Sequence, residues 1–216
     1  MLRISINNEA EWLEKRQLQG IGGSEASSIV NCNPYLSNVE LWEIKTGLKQ
    51  REDIGNKPCV KYGKQAEQHI RELFRLDYPE YIVDYHEFDL LCNDDFPFIF
   101  ATLDGELTDQ NGRKGILEIK TTEIQQANQW TKWDNQIPQN YYVQILHQFI
   151  ATGFEFAVLN AQIKYTKNGK KLKIVKTYFF ERSECQDDIN YLLDEEKKFY
   201  KLVIDKKRPN LQLPEI

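Results

Sequence analysis

The sequence predicts an α/β or α+β domain, a mixed β-sheet covered by helices. Residues 60–75 and 139–152 repeat apolar side chains at helical spacing. Residues 81–120 change to β-branched, aromatic and roughly alternating patterns punctuated by turn residues. After residue 138 a helix, a hairpin and a second helix follow without any linker-like stretch.

In chain order, Ala10 to Arg16 reads as a helix, and Gly20-Ile21-Gly22-Gly23 as a turn. Ser24 is expected as the N-cap of the next helix, and Asn38 to Thr46 as a short helix ended by Gly47. Between Val60 and Arg75, Tyr62, Ala66, Ile70, Leu73 and Phe74 fall on one predicted face. Tyr81 to Cys92 and Phe98 to Leu107 are expected as two antiparallel strands around the turn Asn93-Asp94-Asp95. A third strand, Gly115 to Lys120, follows Asp109-Gln110-Asn111-Gly112 and completes a meander. A helix from Gln139 to Thr152, stopped by Gly153, precedes a strand from Glu155 to Tyr165. Asn168-Gly169 then turns the chain into Lys171 to Phe180, and a last helix runs from Cys185 to Asp205. Residues 1–216 read as a single domain, because repeats, low-complexity tracts and Pro/Gly/Ser-rich stretches are all missing.

Composition narrows the function. With 216 residues, 41% hydrophobic and 28% charged, the chain has the balance of a globular domain. Its longest apolar runs, such as Phe98 to Ala101, are far shorter than the ~20 residues of a membrane span. No secretory signal pattern opens it, so the expected compartment is the cytoplasm. Four cysteines without a C-x-x-C pair suggest neither a zinc knuckle nor an iron–sulfur cluster. A net charge of −5 argues against coating nucleic acid by bulk charge, though not against a local grip. Lys164, Lys167, Lys170, Lys171, Lys173 and Lys176 form the one strongly basic stretch, with no acidic residue among them.

The chemistry centres on the third strand. Alternation places Ile116, Glu118 and Lys120 on one face and Leu117 and Ile119 on the other. Asp104, fourteen residues before Glu118 in the preceding strand, can converge with it across the turn. Two carboxylates suit a hard cation such as Mg²⁺, and an ammonium beside them can stabilise a charged transition state. Taken alone, Glu-x-Lys also describes an ordinary cross-strand ion pair on a solvated face. Two further polar groups stand where packing would not choose them. Glu67 lies at the border of the apolar helix face, within about 20° of Phe74. Gln144 shares a stripe with Tyr141, Gln148 and Ala151 on an otherwise apolar helix, where its amide needs partners.

These residues resemble a known family. Asp104-Gly105 with Glu118-Ile119-Lys120 is similar to the PD-(D/E)XK nuclease core. Three flanking motifs resemble its lambda exonuclease-like branch, the YqaJ-type viral recombinases: Trp12 to Arg16 leading into Gly20-Ile21-Gly22-Gly23-Ser24-Glu25-Ala26, then Tyr62-Gly63-Lys64-Gln65-Ala66-Glu67, then Tyr141-Tyr142-Val143-Gln144. Asn33-Pro34-Tyr35 with Leu41-Trp42-Glu43 adds to the match, which spans about residues 10 to 155. Two positions depart from the family pattern: Leu103 replaces a proline, and Gln148 stands where relatives often carry an aromatic residue.

The resemblance implies a restriction-endonuclease-like core in which a central mixed sheet is flanked by helices. It implies that Asp104, Glu118, the Ile119 carbonyl and Glu67 hold Mg²⁺ (or Mn²⁺), that Lys120 is the catalytic lysine, and that Gln144 belongs to the same site. Arg16 and Ser24 would hold a terminal 5′-phosphate, and Lys164, Lys167, Lys170 and Lys171 would touch DNA phosphates. The implied activity is 5′-to-3′ exodeoxyribonuclease action on linear duplex ends, releasing mononucleotides and leaving 3′ overhangs for phage-type recombination. The implied partners are a single-strand annealing protein and further copies of the chain in a ring-shaped homotrimer; the implied setting is a phage or prophage in a bacterial host. An endonuclease of the same superfamily, or a non-catalytic DNA-end or partner-binding module, are the alternative readings.

Overall fold

The structure, a computed structural model, describes residues 1–18 and 20–212, with side chains at all of these except 17 and 18. Its centre is a five-stranded mixed sheet in the order β3-β6-β7-β8-β9, where β3 is Ile82–Asp84, β6 Gly105–Thr108, β7 Lys114–Ile124, β8 Phe156–Lys167 and β9 Lys170–Glu181. β7 and β8 run parallel and the other pairs antiparallel. A smaller sheet, β1-β4-β5-β2, joins Leu2–Ile4, Leu90–Cys92, Ile99–Ala101 and Ile21–Gly22. Six α-helices among the described residues surround them: α1 Glu9–Leu18, α2 Gly23–Ile29, α3 Asn38–Lys45, α4 Pro58–Asp77, α5 Gln139–Thr152 and α6 Gln186–Ile204.

The two faces of the central sheet bury different helices. Ile116, Ala157, Leu159, Ala161 and Ile163 pack against Ile145, Leu146 and Phe149 of α5 and Ile189 and Leu192 of α6. Leu107, Leu117, Ile119, Phe156 and Val158 pack on the opposite face against Ile70 and Phe74 of α4. Alternation along β7 therefore sends Ile116, Glu118 and Lys120 toward α5, and the parallel pair β7–β8 is reached through the α5 crossover, as its geometry demands.

Most predicted elements occur within two or three residues of their expected ends, including the Asn168-Gly169 hairpin, whose two turn residues both have positive φ. Three expectations are corrected. Tyr81–Cys92 and Phe98–Leu107 are each two short strands rather than one, because the chain passes from one sheet to the other between them. Arg3 of β1 fastens that crossing, binding Asp89 at 2.8 Å and Glu106 at 2.5 Å. Leu73 is 54% exposed, and Arg71 takes the buried position instead. Ser24 is not a cap: α2 starts two residues earlier than expected, with Gly22 as N-cap, because the Glu25 carboxylate reaches back to the Gly22 N–H at 2.9 Å. Gly20 enters this turn at φ +127°, where any side chain would collide with the Phe98 carbonyl. No helix among the described residues is long and apolar enough to cross a membrane.

Candidate active site

Glu118 lies near the middle of β7 and is 2% exposed. A carboxylate there needs compensation, and three groups provide it. Lys120 Nζ approaches Oε1 at 2.5 Å, the Gln144 amide donates to Oε1 at 2.7 Å, and the Gln148 amide donates to Oε2 at 2.5 Å. Gln144 closes a ring by accepting from Lys120 Nζ at 2.9 Å. The two glutamines are one helical turn apart on α5, so a single helix face holds both oxygens of Glu118. Lys120 Nζ is also 5.0 Å from the centre of the Tyr141 ring.

Asp104 sits just before β6, where Oδ2 accepts the Ile119 N–H at 2.7 Å. The N–H and C=O of one strand residue point to the same side, so the Ile119 carbonyl faces Asp104 as well, beyond the last β6–β7 pair at Gly105–Leu117. Burial pushes the Asp104 carboxyl well above its ordinary range, and Glu118 and Glu67 push it further; Lys120 and the Ile119 N–H oppose them. Burial depresses the Lys120 ammonium, but Glu118 and Asp104 outweigh that, and it stays protonated above the usual lysine value.

Glu67 reaches this cluster from α4. Burial raises its pKa, against the pull of Arg71, whose guanidinium lies 3.2 Å away. Arg71 also donates to the main-chain carbonyl of Asp104 and stacks on Tyr85 at 3.5 Å, joining α4 to the approach of β6. Among the described residues, no three acidic, histidine or cysteine side chains come close enough together to hold a metal by themselves. The available donor set is Asp104, Glu118 and the Ile119 carbonyl, all hard oxygens, which fits a cation that keeps several waters.

A second charged cluster lies around Glu25, at 2% exposure. Lys45 Nζ is 2.8 Å from Oε2 with its side chain 4% exposed, and Arg51 is 3.0 Å from Oε1. Arg16 stacks on Trp12 at 4.3 Å, and the charges of Glu25, Arg51 and Asp104 all act on it. Burial lowers the pKa of both Arg16 and Lys45. Ser24 is in the first turn of α2, and its carbonyl accepts from Asn33 Nδ2 at 3.4 Å. Gly23, beside it, brings α2 against α5: a Cβ there would be 3.2 Å from Gln144 Cγ.

The lysine hairpin is separate. Lys120 pairs in register with Ala161, so Lys167, six residues further along β8, is about 20 Å away. Lys167, Lys170 and Lys171 are exposed at the tip, Lys164 covers the Tyr62 ring, and Lys176 donates to the Trp133 carbonyl at 2.6 Å. Asp104, Glu118, Lys120, Gln144 and Glu67 are thus brought together, with Arg16 at their edge and the hairpin lysines apart. Sequence reasoning did not assign Arg71, Lys45 and Arg51, or a partner for Gln148; the one available signal was the second amide on the face of Gln144.

With this geometry in view, residues 11–155 match the YqaJ-like viral recombinase domain. The chain belongs to that family. It is 31% identical over 146 residues to the uncharacterized protein YqaJ of Bacillus subtilis (strain 168), an alignment covering 68% of this chain and 43% of that protein. The chain therefore spans less than half the length of this curated relative. In fold it is similar to an alkaline exonuclease (LHK-Exo) from Laribacter hongkongensis, with a TM-score of 0.63 and 16% identity over 92% of this chain and 94% of that one. LHK-Exo has also been solved in complex with dAMP. A phage related exonuclease from Haemophilus somnus 129PT aligns with a TM-score of 0.50 and 12% identity over 90% and 99% of the two chains. These likenesses establish the fold, the restriction-endonuclease-like arrangement of a mixed sheet between helices.

Proposed function

We propose that this chain is a Mg²⁺-dependent deoxyribonuclease that degrades the 5′-ended strand of linear duplex DNA, releasing mononucleotides and leaving 3′ overhangs. The observation that carries this reading is the convergence of Asp104, Glu118, Lys120 and Gln144 in one buried network beside a main-chain carbonyl. Asp104, Glu118 and the Ile119 carbonyl would hold the cation, with Glu67 adding negative charge from α4. Mg²⁺ there supplies charge neutralisation at the scissile phosphate and acidifies a water.

The remaining work falls to the chain. Gln144 and Gln148 fix the Glu118 carboxylate in one orientation. Lys120, kept cationic by its two acidic neighbours, stabilises the charge that builds on the phosphate as the bond breaks. Arg16, Lys45 and Arg51, with Ser24 nearby, form a cation-rich cluster suited to a terminal 5′-phosphate, and the hairpin lysines Lys164, Lys167, Lys170 and Lys171 contact the duplex backbone by charge. The chain acts in this reading as a homotrimer around the duplex and hands its overhang to a single-strand annealing protein. Sedimentation should then give three times the mass of one chain.

The test uses the purified protein and its Glu118→Ala variant with Mg²⁺ and two DNAs of the same sequence, one linear with 5′-phosphates and one covalently closed. Mononucleotides from the linear DNA alone, and only with the unsubstituted protein, are expected. Cleavage of the circle would replace the reading with an endonuclease, and an inert protein that still binds ends would replace it with a binding module.

A further inference from the structure

Tyr35, in the Asn33-Pro34-Tyr35 motif, is the most exposed large apolar side chain among the described residues, at 88%. The loop that presents it is built rather than slack. Asn33 Oδ1 accepts the Tyr35 N–H at 2.9 Å while Asn33 Nδ2 donates to the Ser24 carbonyl of α2, and Pro34 between them fixes its own φ. An aromatic ring carried to solvent on a stiff loop loses little conformational freedom when it is covered, which is the economy of a binding residue.

Its surroundings say what covers it. Asn33 and Pro34 line a cavity of about 730 Å³ together with Gln139, Asn140, Tyr142 and Leu146 of α5. Ser24, which holds the loop, follows Gly23, where a Cβ would be 3.2 Å from Gln144 Cγ, so the loop is tied to the turn of α2 that packs on the candidate site, and the Tyr35 phenol acts electrostatically on that of Tyr141. Tyr141 in turn lies against Lys120. The exposed ring is thus carried on a loop fastened beside the residues that hold Glu118 and Lys120. Near a phosphate-cleaving centre the flat apolar groups that arrive are nucleobases.

We propose that Tyr35 is a base-stacking residue, receiving a nucleobase unpaired from the duplex next to the scissile phosphate. This rests on the nuclease reading above. Stacking of a base on an aromatic side chain changes affinity by roughly tenfold, a scale that binding measurements resolve easily.

The test measures binding of the full chain, in EDTA to prevent cutting, to a 5′-phosphorylated duplex with an unpaired end and to the same duplex with an abasic residue near that end. Tyr35→Ala should weaken binding of the intact DNA by about tenfold, Tyr35→Phe should not, and the abasic residue should weaken the unsubstituted protein but leave Tyr35→Ala unchanged. With Mg²⁺, Tyr35→Ala should raise KM and spare kcat on linear DNA. Equal affinities for Tyr35→Ala and the unsubstituted protein, or losses that simply add, would overturn the stacking role while leaving the nuclease reading intact. A Tyr35→Ala protein that binds DNA normally but sediments as a smaller species would show the ring to be a protein contact instead. If the unsubstituted protein neither binds nor cuts linear duplex, the nuclease reading fails and the stacking role with it.

Discussion

Two buried glutamates, Glu118 and Glu25, sit in opposite electrostatic company. Around Glu118 gather two further carboxylates, Asp104 and Glu67, with Lys120 and Arg71 as the cations. Around Glu25 gather Lys45, Arg51 and Arg16. The first cluster carries more negative charge than its cations balance, which favours an added cation. The second carries more positive charge, which favours an added anion. Arg16, which feels both Glu25 and Asp104, connects them. A nuclease acting at a phosphorylated end has need of both kinds of site in contact.

The comparison can be broken from either side. Lys120→Met should cut turnover about a thousandfold on every DNA substrate while circular dichroism and melting show an intact fold, because its charge acts in the transition state. If Lys120→Met keeps more than a tenth of the activity, the first cluster is not the catalytic one.

The next largest effect concerns the scaffold shared by the two clusters. His147 on α5 is buried between Glu196, at 2.6 Å, and the Phe100 carbonyl, at 2.8 Å, one residue from Gln148. Burial lowers its pKa, but Glu196 outweighs that and the net shift is upward. A raised folded value means stability that is complete below the unfolded value near 6.5 and is lost as pH rises through the folded one. His147→Gln should therefore cost about 3–5 kcal/mol at pH 6 and less at pH 9, as denaturant titrations at the two pH values would show.

On the second cluster the effect is smaller and selective. Arg16→Ala and Lys45→Met should each reduce the preference for 5′-phosphate over 5′-hydroxyl ends by about tenfold or more, with little change on hydroxyl ends. An unchanged ratio would remove this cluster from end recognition. The smallest effect is one of stability. Ionised Asp104 is costly in the folded state, so its contribution is favourable below the unfolded value near 4 and is lost as pH rises. Asp104→Asn should raise Tm by about 2–4 °C at neutral pH without added divalent cation, with the gap closing at acidic pH.

Much of this could be read in order along the chain. Helix α5 was predicted with the ends it has, Gln139 and Thr152, because its apolar spacing and the αL glycine at 153 are local signals. The hairpin at Asn168-Gly169 is equally local. Glu118 and Lys120 were placed on one face by strand alternation, and Gln144 and Gln148 on one stripe by helical periodicity. Whether those two faces meet was beyond periodicity. Only the parallel β7–β8 crossover lays α5 over Glu118, so that both amides of one helix reach both oxygens of one carboxylate.

What the sequence determined by itself was therefore each element and the chemistry it carries on each face, since period and turn residues act within a few positions. Tertiary structure decided the rest. The pairs Glu25–Lys45 and Arg71–Asp104, the crossing of residues 82–108 between two sheets, and the exposure of Leu73 with Arg71 buried in its stead all depend on which surfaces pack together. A charge is buried only when a partner distant in sequence arrives to compensate it, and that arrival is set by the fold as a whole.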